Sequence, residues 1–254
     1  MPNFENSAER GLEALEAYVG KIAEELNREG IAATGDCHID MQKYEEIYGQ
    51  QAKKDMLETA ERERKWGKQE GKKNSNKQKR LKAGEQMEMF KTAVFHKVLE
   101  KDFFVSRSSL FDDYNNGIDN VIVEKQTGNI VGAFDEVVSE SDGRGKEDKI
   151  AARNTRGGGF LKYGIGIKNN KPVKQANAHI PLFYLALENK ELTRAISEFD
   201  PSKEELSELE KKLLEKLVNC IDRQIPGIEK IGVLQAKIPS IKILKNALEY
   251  AVKN

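Results

Sequence analysis

The chain has 254 residues, 38% of them hydrophobic and 33% charged, and 42 lysines and arginines balance 42 aspartates and glutamates. That apolar share is lean for one compact core of this length and leads to the expectation of a folded centre with solvated helical extensions. With no run of about 18 apolar residues and a polar, acidic start, a membrane-spanning or exported protein is not expected; two distant cysteines, Cys37 and Cys220, suit a reducing, cytoplasmic setting.

Asn6 or Ser7 caps an expected first helix, with Glu9 completing a capping box after Asn6. Leu12, Leu15, Val19, Ile22 and Leu26 recur at helical spacing and Gly30 ends the run. Residues 41–82 read as a second, longer helix with a stripe of Ile47, Met56, Leu57 and Ala60, turning basic from Arg62 through Lys72, Lys73 and Lys82. Gly71 and Asn74-Ser75-Asn76 mark the later part as a linker, and its cations suit salt-dependent contacts to a nucleic-acid backbone. A further helix is expected over 85–101, and Phe103-Phe104-Val105 starts a strand. Asp112 to Gly117 then reads as a turn.

The hairpin Gly117 to Val138 carries the chemistry. Two β-branched runs flank Gln126-Thr127-Gly128, and Gly128 in the left-handed position pairs Lys125 with Asn129, Val123 with Val131, Val121 with Ala133 and Asp119 with Asp135. Two carboxylates facing each other at one end of an apolar hairpin repel unless a cation or a shared proton joins them. A polar loop at 139–145, a short helix at 146–154, a strand at 160–167 and a return at 173–175 follow. Ile180 to Leu187 reads as a strand buried on both faces, with Pro181 at its start. In the last third, Asp200-Pro201 opens one helix that Ile225-Pro226-Gly227 stops, and a final helix spans 240–252. The domains expected are a helical arm with basic linker at 1–83, an α+β core with a central mixed sheet at 84–189, and a helical hairpin at 190–254.

Charge segregates inside the core. Residues 112–142 hold eight acidic residues against Lys125, whereas 144–174 hold Arg144, Lys146, Lys149, Arg153, Arg156, Lys162 and three further lysines against two acids. Carboxylates beside cations are the side-chain types that metal-assisted phosphodiester hydrolysis uses.

The order helix, three strands, helix, strand, with Gly117-Ile118-Asp119 opening one strand and Asp135-Glu136-Val137 on its neighbour, resembles the PD-(D/E)xK nuclease superfamily over residues 85–188. The resemblance implies an αβββαβ core and Mg²⁺ or Mn²⁺ held by Asp119, Asp135, the Glu136 carbonyl and an acid on the preceding helix, Glu88 or alternatively Glu85. The family's motif lysine falls at position 137, where this chain has valine. Some family members carry that lysine on an adjacent element, so Lys149 or Lys162 is expected to replace it. Arg144, Lys146, Arg153, Arg156, Lys72 and Lys73 are expected to meet nucleic acid. The alternative is a non-catalytic nucleic-acid-binding or assembly protein using segments 62–82 and 144–174, its terminal helices recruiting a partner or a second copy.

Overall fold

The computed structural model describes residues 4–71, 83–137, 140–203 and 205–253, without the side chains of 4–6, 66–71, 83, 136–137 and 140–144. Helix α1 (Phe4–Arg28) comes first, so Asn6 and Ser7 lie inside it and not before its start. The expected long second helix is broken. A 3₁₀ turn (Met41–Tyr44) and a single-turn helix α2 (Glu45–Tyr48) precede α3 (Gln50–Gly71). The break falls at Gly49, whose φ of +54° favours glycine. The expected stripe is displaced too. Leu57 is 68% exposed, while Ala52, Asp55 and Thr59 are buried. The linker at 72–82, with Lys72 and Lys73, lies outside the described residues.

The central layer is a four-stranded mixed sheet of α+β type in the order β1-β2-β3-β6. Helix α4 (Ala83–Leu99) leads into β1 (Phe103–Arg107), helix α5 (Leu110–Asn116), β2 (Asn120–Glu124), β3 (Ile130–Val137) and helix α6 (Glu140–Thr155). The ribbon β4 (Gly159–Lys168) and β5 (Lys171–Ile180) intervenes before β6 (Leu182–Ala186). β1 and β3 pair antiparallel with β2, and β6 runs parallel to β3. Pro181 sits one residue before β6 and costs the ladder no donor. Helices α7 (Asn189–Ser197), α8 (Glu208–Ile228) and α9 (Ile238–Lys253) complete the chain.

Several boundaries differ from those expected. Asp112 to Asn116 is helix, not turn: Ser109 accepts the Asp112 N–H at 3.0 Å as N-cap, and Gly117 closes the end in the left-handed conformation. The polar stretch 140–145 begins α6. α8 starts after Ser207, which forms a capping box with Glu210, seven residues beyond Asp200-Pro201. It also continues through Pro226, where buried Ile225 and Ile228 hold the last turn on the core. In the hairpin, Val121 does face Ala133, but a bulge after Ile122 sets Val123 against Ile130 and not Val131. The connection is therefore five residues, Lys125 to Asn129. Gly128 keeps its positive φ of +70°, and a Cβ there would lie 2.5 Å from the Ile167 nitrogen.

One buried cluster draws on all three segments, from Leu15 of α1 through Phe95, Ile122, Phe134 and Phe183 to Leu248 of α9. α1 packs against α4 and α7, while α8 packs on β6 and α9 against α4 and β3. Helices α4 and α9, and α6 and α8, thus pack on the sheet.

Asn154 on α6 fastens β6 in place. Its amide donates to the Leu182 carbonyl at 2.8 Å and accepts the Leu182 N–H at 3.0 Å, at 5% exposure. Asn154→Ala strands two buried backbone groups, each costing about 1–3 kcal/mol. Chemical denaturation is expected to show a loss of about 2–4 kcal/mol; an unchanged midpoint would mean that water replaces the amide without penalty.

Candidate metal centre

Four carboxylates converge where β1 ends and β2 begins. The Asp119 backbone is pinned on both sides, its N–H donating to Phe134 of β3 at 2.8 Å and its carbonyl accepting from Ser108 N at 2.8 Å. The β2–β3 ladder stops at Asn120 opposite Phe134, so Asp119 and Asp135 flank its open end. Glu88 comes from α4 and Asp113 from α5. Carboxylate oxygens of Glu88, Asp113 and Asp119 lie within 4.8 Å of one another.

Asp113 was not legible as a site residue because its neighbourhood read as a turn. Once α5 is a helix, the roughly 100° step per residue separates two adjacent acids. Asp112 points inward and accepts from Lys162 N at 2.8 Å and Tyr163 N at 3.0 Å, which ties α5 to β4. Asp113 faces the other acids.

A cation among these acids is Lys91, fully buried on α4. It lies three residues after Glu88, hence on the same helix face, with its ammonium 5.1 Å from the centre of the Phe134 ring. Burial pulls its pKa down to about 7 against the opposing attraction of Asp119, Glu88 and Asp135. Burial first, and then Glu88 and Asp135, hold Asp119 well above the usual carboxylate range. Asp113 is raised likewise by burial, by Asp119 and Glu88, and by a hydrogen bond to Asp119. Two neighbouring acids that resist ionisation together are the electrostatic condition a divalent cation relieves.

Outer groups hold the constellation. Arg107, at the end of β1 and 3% exposed, pairs with Glu88 at 2.6 Å. Asp135 accepts an ion pair from Lys146 of α6. Arg153, two turns further along the same face of α6, donates to the carbonyls of Asn116 and Gly117 and is drawn electrostatically by Asp135.

The two lysines expected to replace the motif lysine are placed elsewhere. Lys162 is committed to Asp55 of α3, its ammonium about 5 Å from the rings of Tyr48 and Phe111. Lys149 is solvent-exposed on α6, and an α6 cation that does reach Asp135 is Lys146, three residues earlier. Arg156 is exposed near the end of α6. Glu136 pairs through its backbone with Leu185 of β6; its side chain and that of Arg144 are outside those described. The signal for Lys91 was present in the sequence. It occupies the α4 face of Met87, Phe90 and Val94, where a lysine goes only if something compensates it.

Behind Arg107, His38 is 3% exposed and donates Nδ1–H to the Ser108 carbonyl at 2.6 Å. Burial, and then Arg107, push its pKa down to about 4 from about 6.5. The unfolded chain thus takes up a proton before the folded one. This contribution is complete above about pH 6.5 and is lost as pH falls toward 4, amounting to about 3 kcal/mol. Denaturation across that window is expected to show a shallower acid loss in His38→Gln; parallel wild-type and variant profiles would contradict it.

No protein-family model, no curated protein and no solved structure matches the chain. No described helix is long and apolar enough to cross a membrane.

Proposed function

We propose that the protein is a divalent-metal-dependent nuclease that hydrolyses phosphodiester bonds of DNA or RNA. The observation that carries this reading is the meeting of Glu88, Asp113 and Asp119 at one sheet end, with Asp135 acting on Asp119 and the buried Lys91 beside them. All-oxygen, anionic donors fit Mg²⁺ or Mn²⁺ and fit Zn²⁺ or Cu²⁺ poorly. Glu88, Asp113 and Asp119, with Asp135 beside Asp119, would hold such an ion. A bound ion supplies Lewis acidity toward a phosphate oxygen and lowers the pKa of attacking water.

The chain's own groups do the rest. In this reading Lys91, buried beside the acids, supplies the positive charge for a phosphorane-like transition state and orients water. With its pKa drawn to about 7, it is also a candidate proton carrier near neutral pH. Lys146 and Arg153 line the α6 side of Asp135 and give an incoming phosphate its first cationic contacts. Arg107 fixes Glu88.

The test is incubation of the full chain with end-labelled single-stranded, duplex and branched DNA and with RNA, in Mg²⁺ or Mn²⁺ or with chelator. Metal-dependent cleavage of at least one substrate is expected. Salt-sensitive binding without cleavage under any metal would replace this reading with a nucleic-acid-binding protein.

A further inference from the structure

A second constellation lies at the opposite end of the sheet. Glu25 of α1, His96 of α4 and Glu100, one residue past α4, offer one ligand atom each within 4.8 Å of one another. They border a cleft of about 730 Å³ that also includes Phe103, Phe104, Lys101 and Lys125. Phe103 starts β1 opposite Glu124, the last residue of β2, whereas Asp119 adjoins the far end of that same pair. The two constellations share no residue.

We propose that Glu25, His96 and Glu100 bind a transition-metal ion of the Zn²⁺ class. His96 and Glu100 are four residues apart on one helical face, a spacing that points both side chains the same way. Glu25 Oε2 lies 3.1 Å from His96 Nε2, and Glu100 Oε2 lies 3.6 Å from Nδ1. Donors held tetrahedrally at about 2.0–2.1 Å from one ion are about 3.3 Å apart, which the Glu25–Nε2 pair matches, while Glu100 lies beside the other ring nitrogen and joins the group within 4.8 Å. One imidazole and two carboxylates suit Zn²⁺ and not Mg²⁺.

The surroundings are built to orient these groups. His96 is 7% exposed, and the Tyr18 hydroxyl meets Nδ1 at 3.2 Å, leaving Nε2 toward Glu25. A hydrogen bond on the second ring nitrogen is the feature that fixes the tautomer of a ligating histidine. Lys21 at 3.7 Å and Arg28 at 3.8 Å engage Oε1 of Glu25, so its Oε2 is the oxygen turned to His96. Glu100, 60% exposed at its side chain, flanks the imidazole from the solvent side, its ligand atom within 4.8 Å of those of His96 and Glu25. The cleft leaves the fourth coordination position to water or to a small anion drawn by Lys101 and Lys125.

Titration calorimetry of the full chain with Zn²⁺, in excess Mg²⁺, reads the site directly. One Zn²⁺ per chain is expected, and Tyr18→Phe is expected to weaken it about 10–100-fold. His96→Gln and Glu100→Gln are each expected to lose at least about tenfold. Asp119→Asn is expected to leave Zn²⁺ binding unchanged, so failure here and failure of the nuclease reading are separable. If His96→Gln does not fold, the exposed Glu100→Gln decides. Absence of Zn²⁺ binding, binding that survives both His96→Gln and Glu100→Gln, or binding lost in Asp119→Asn overturns the proposal.

Discussion

In metal-free buffer, Asp119→Asn is expected to be more stable than the wild type at about pH 7, by about 2 kcal/mol. Asp119 is buried among Glu88, Asp113 and Asp135, so ionising it in the folded state is costly. The sign follows from linkage. A carboxylic acid whose folded pKa is raised keeps its proton after the unfolded chain has lost it, so stability falls as pH rises above about 4. Between about pH 5 and 7, one such group changes stability by up to about 2.7 kcal/mol. Lys91 stays charged over most of this window and does not mask the effect. For a chain of this size, about 2 kcal/mol corresponds to about 4–8 °C in Tm.

Metal then inverts the order. Mg²⁺ at about 100 times its Kd stabilises the wild type by about 2.7 kcal/mol and Asp119→Asn by much less. Thermal scans of both proteins at about pH 5 and 7, with chelator or Mg²⁺, check this. A variant stabilised without metal but responding to Mg²⁺ like the wild type would reduce the acidic cluster to simple repulsion.

Lys91→Met carries the second large effect, in the opposite direction. The lysine is fully buried with three carboxylates acting on it, and removing one partner of a buried charge group costs about 3–5 kcal/mol. Methionine fills the stem's volume, so the loss reads the charge and not a cavity. A Tm fall of about 6–20 °C in chelator is expected, with partial recovery in Mg²⁺ as the ion takes over part of the compensation. In the Asp119→Asn background, the cost of Lys91→Met is expected to be smaller by at least about 1 kcal/mol than in the wild type, because the two residues share an interaction. Strict additivity would show that Lys91 does not serve Asp119. Cleavage by Lys91→Met is expected to drop about 10²–10³-fold even where the protein is folded.

Much of the scaffold was written in periodicity. The α4 face, the β-branched runs of β2 and β3 and the apolar β6 announce themselves because each buries a continuous stripe or both faces. Boundaries set by single hydrogen bonds were harder. Ser109 and Ser207 cap their helices three residues ahead of the acids that mark them, and each was masked by a stronger-looking local signal nearby, Asn115-Asn116-Gly117 in one case and Asp200-Pro201 in the other. The site was half legible. The hairpin pointed to Asp119 and Asp135, and the family resemblance to Glu88 or alternatively Glu85; of that last pair Glu88 lies in the acidic cluster. Asp113 was hidden by the missed α5. Lys91 was hidden by the habit of assigning helical lysines to solvent, although its place between Met87 and Phe95 put it in the core. Lys162 misled for the converse reason: a lysine beside glycines in a basic segment looked catalytic, but Asp55, from a helix far away in sequence, claims it.

The most direct test of the central claim is the single-turnover cleavage rate in Mg²⁺ for wild type, Asp119→Asn, Asp135→Asn and Glu100→Gln side by side. Several kcal/mol of metal-derived stabilisation corresponds to about 10³-fold in rate. The account expects chelator-sensitive cleavage that falls by about that factor in both aspartate variants and is unchanged in Glu100→Gln. Cleavage that persists in Asp119→Asn and Asp135→Asn, or a wild-type protein that cuts no nucleic acid in any divalent metal, would contradict it.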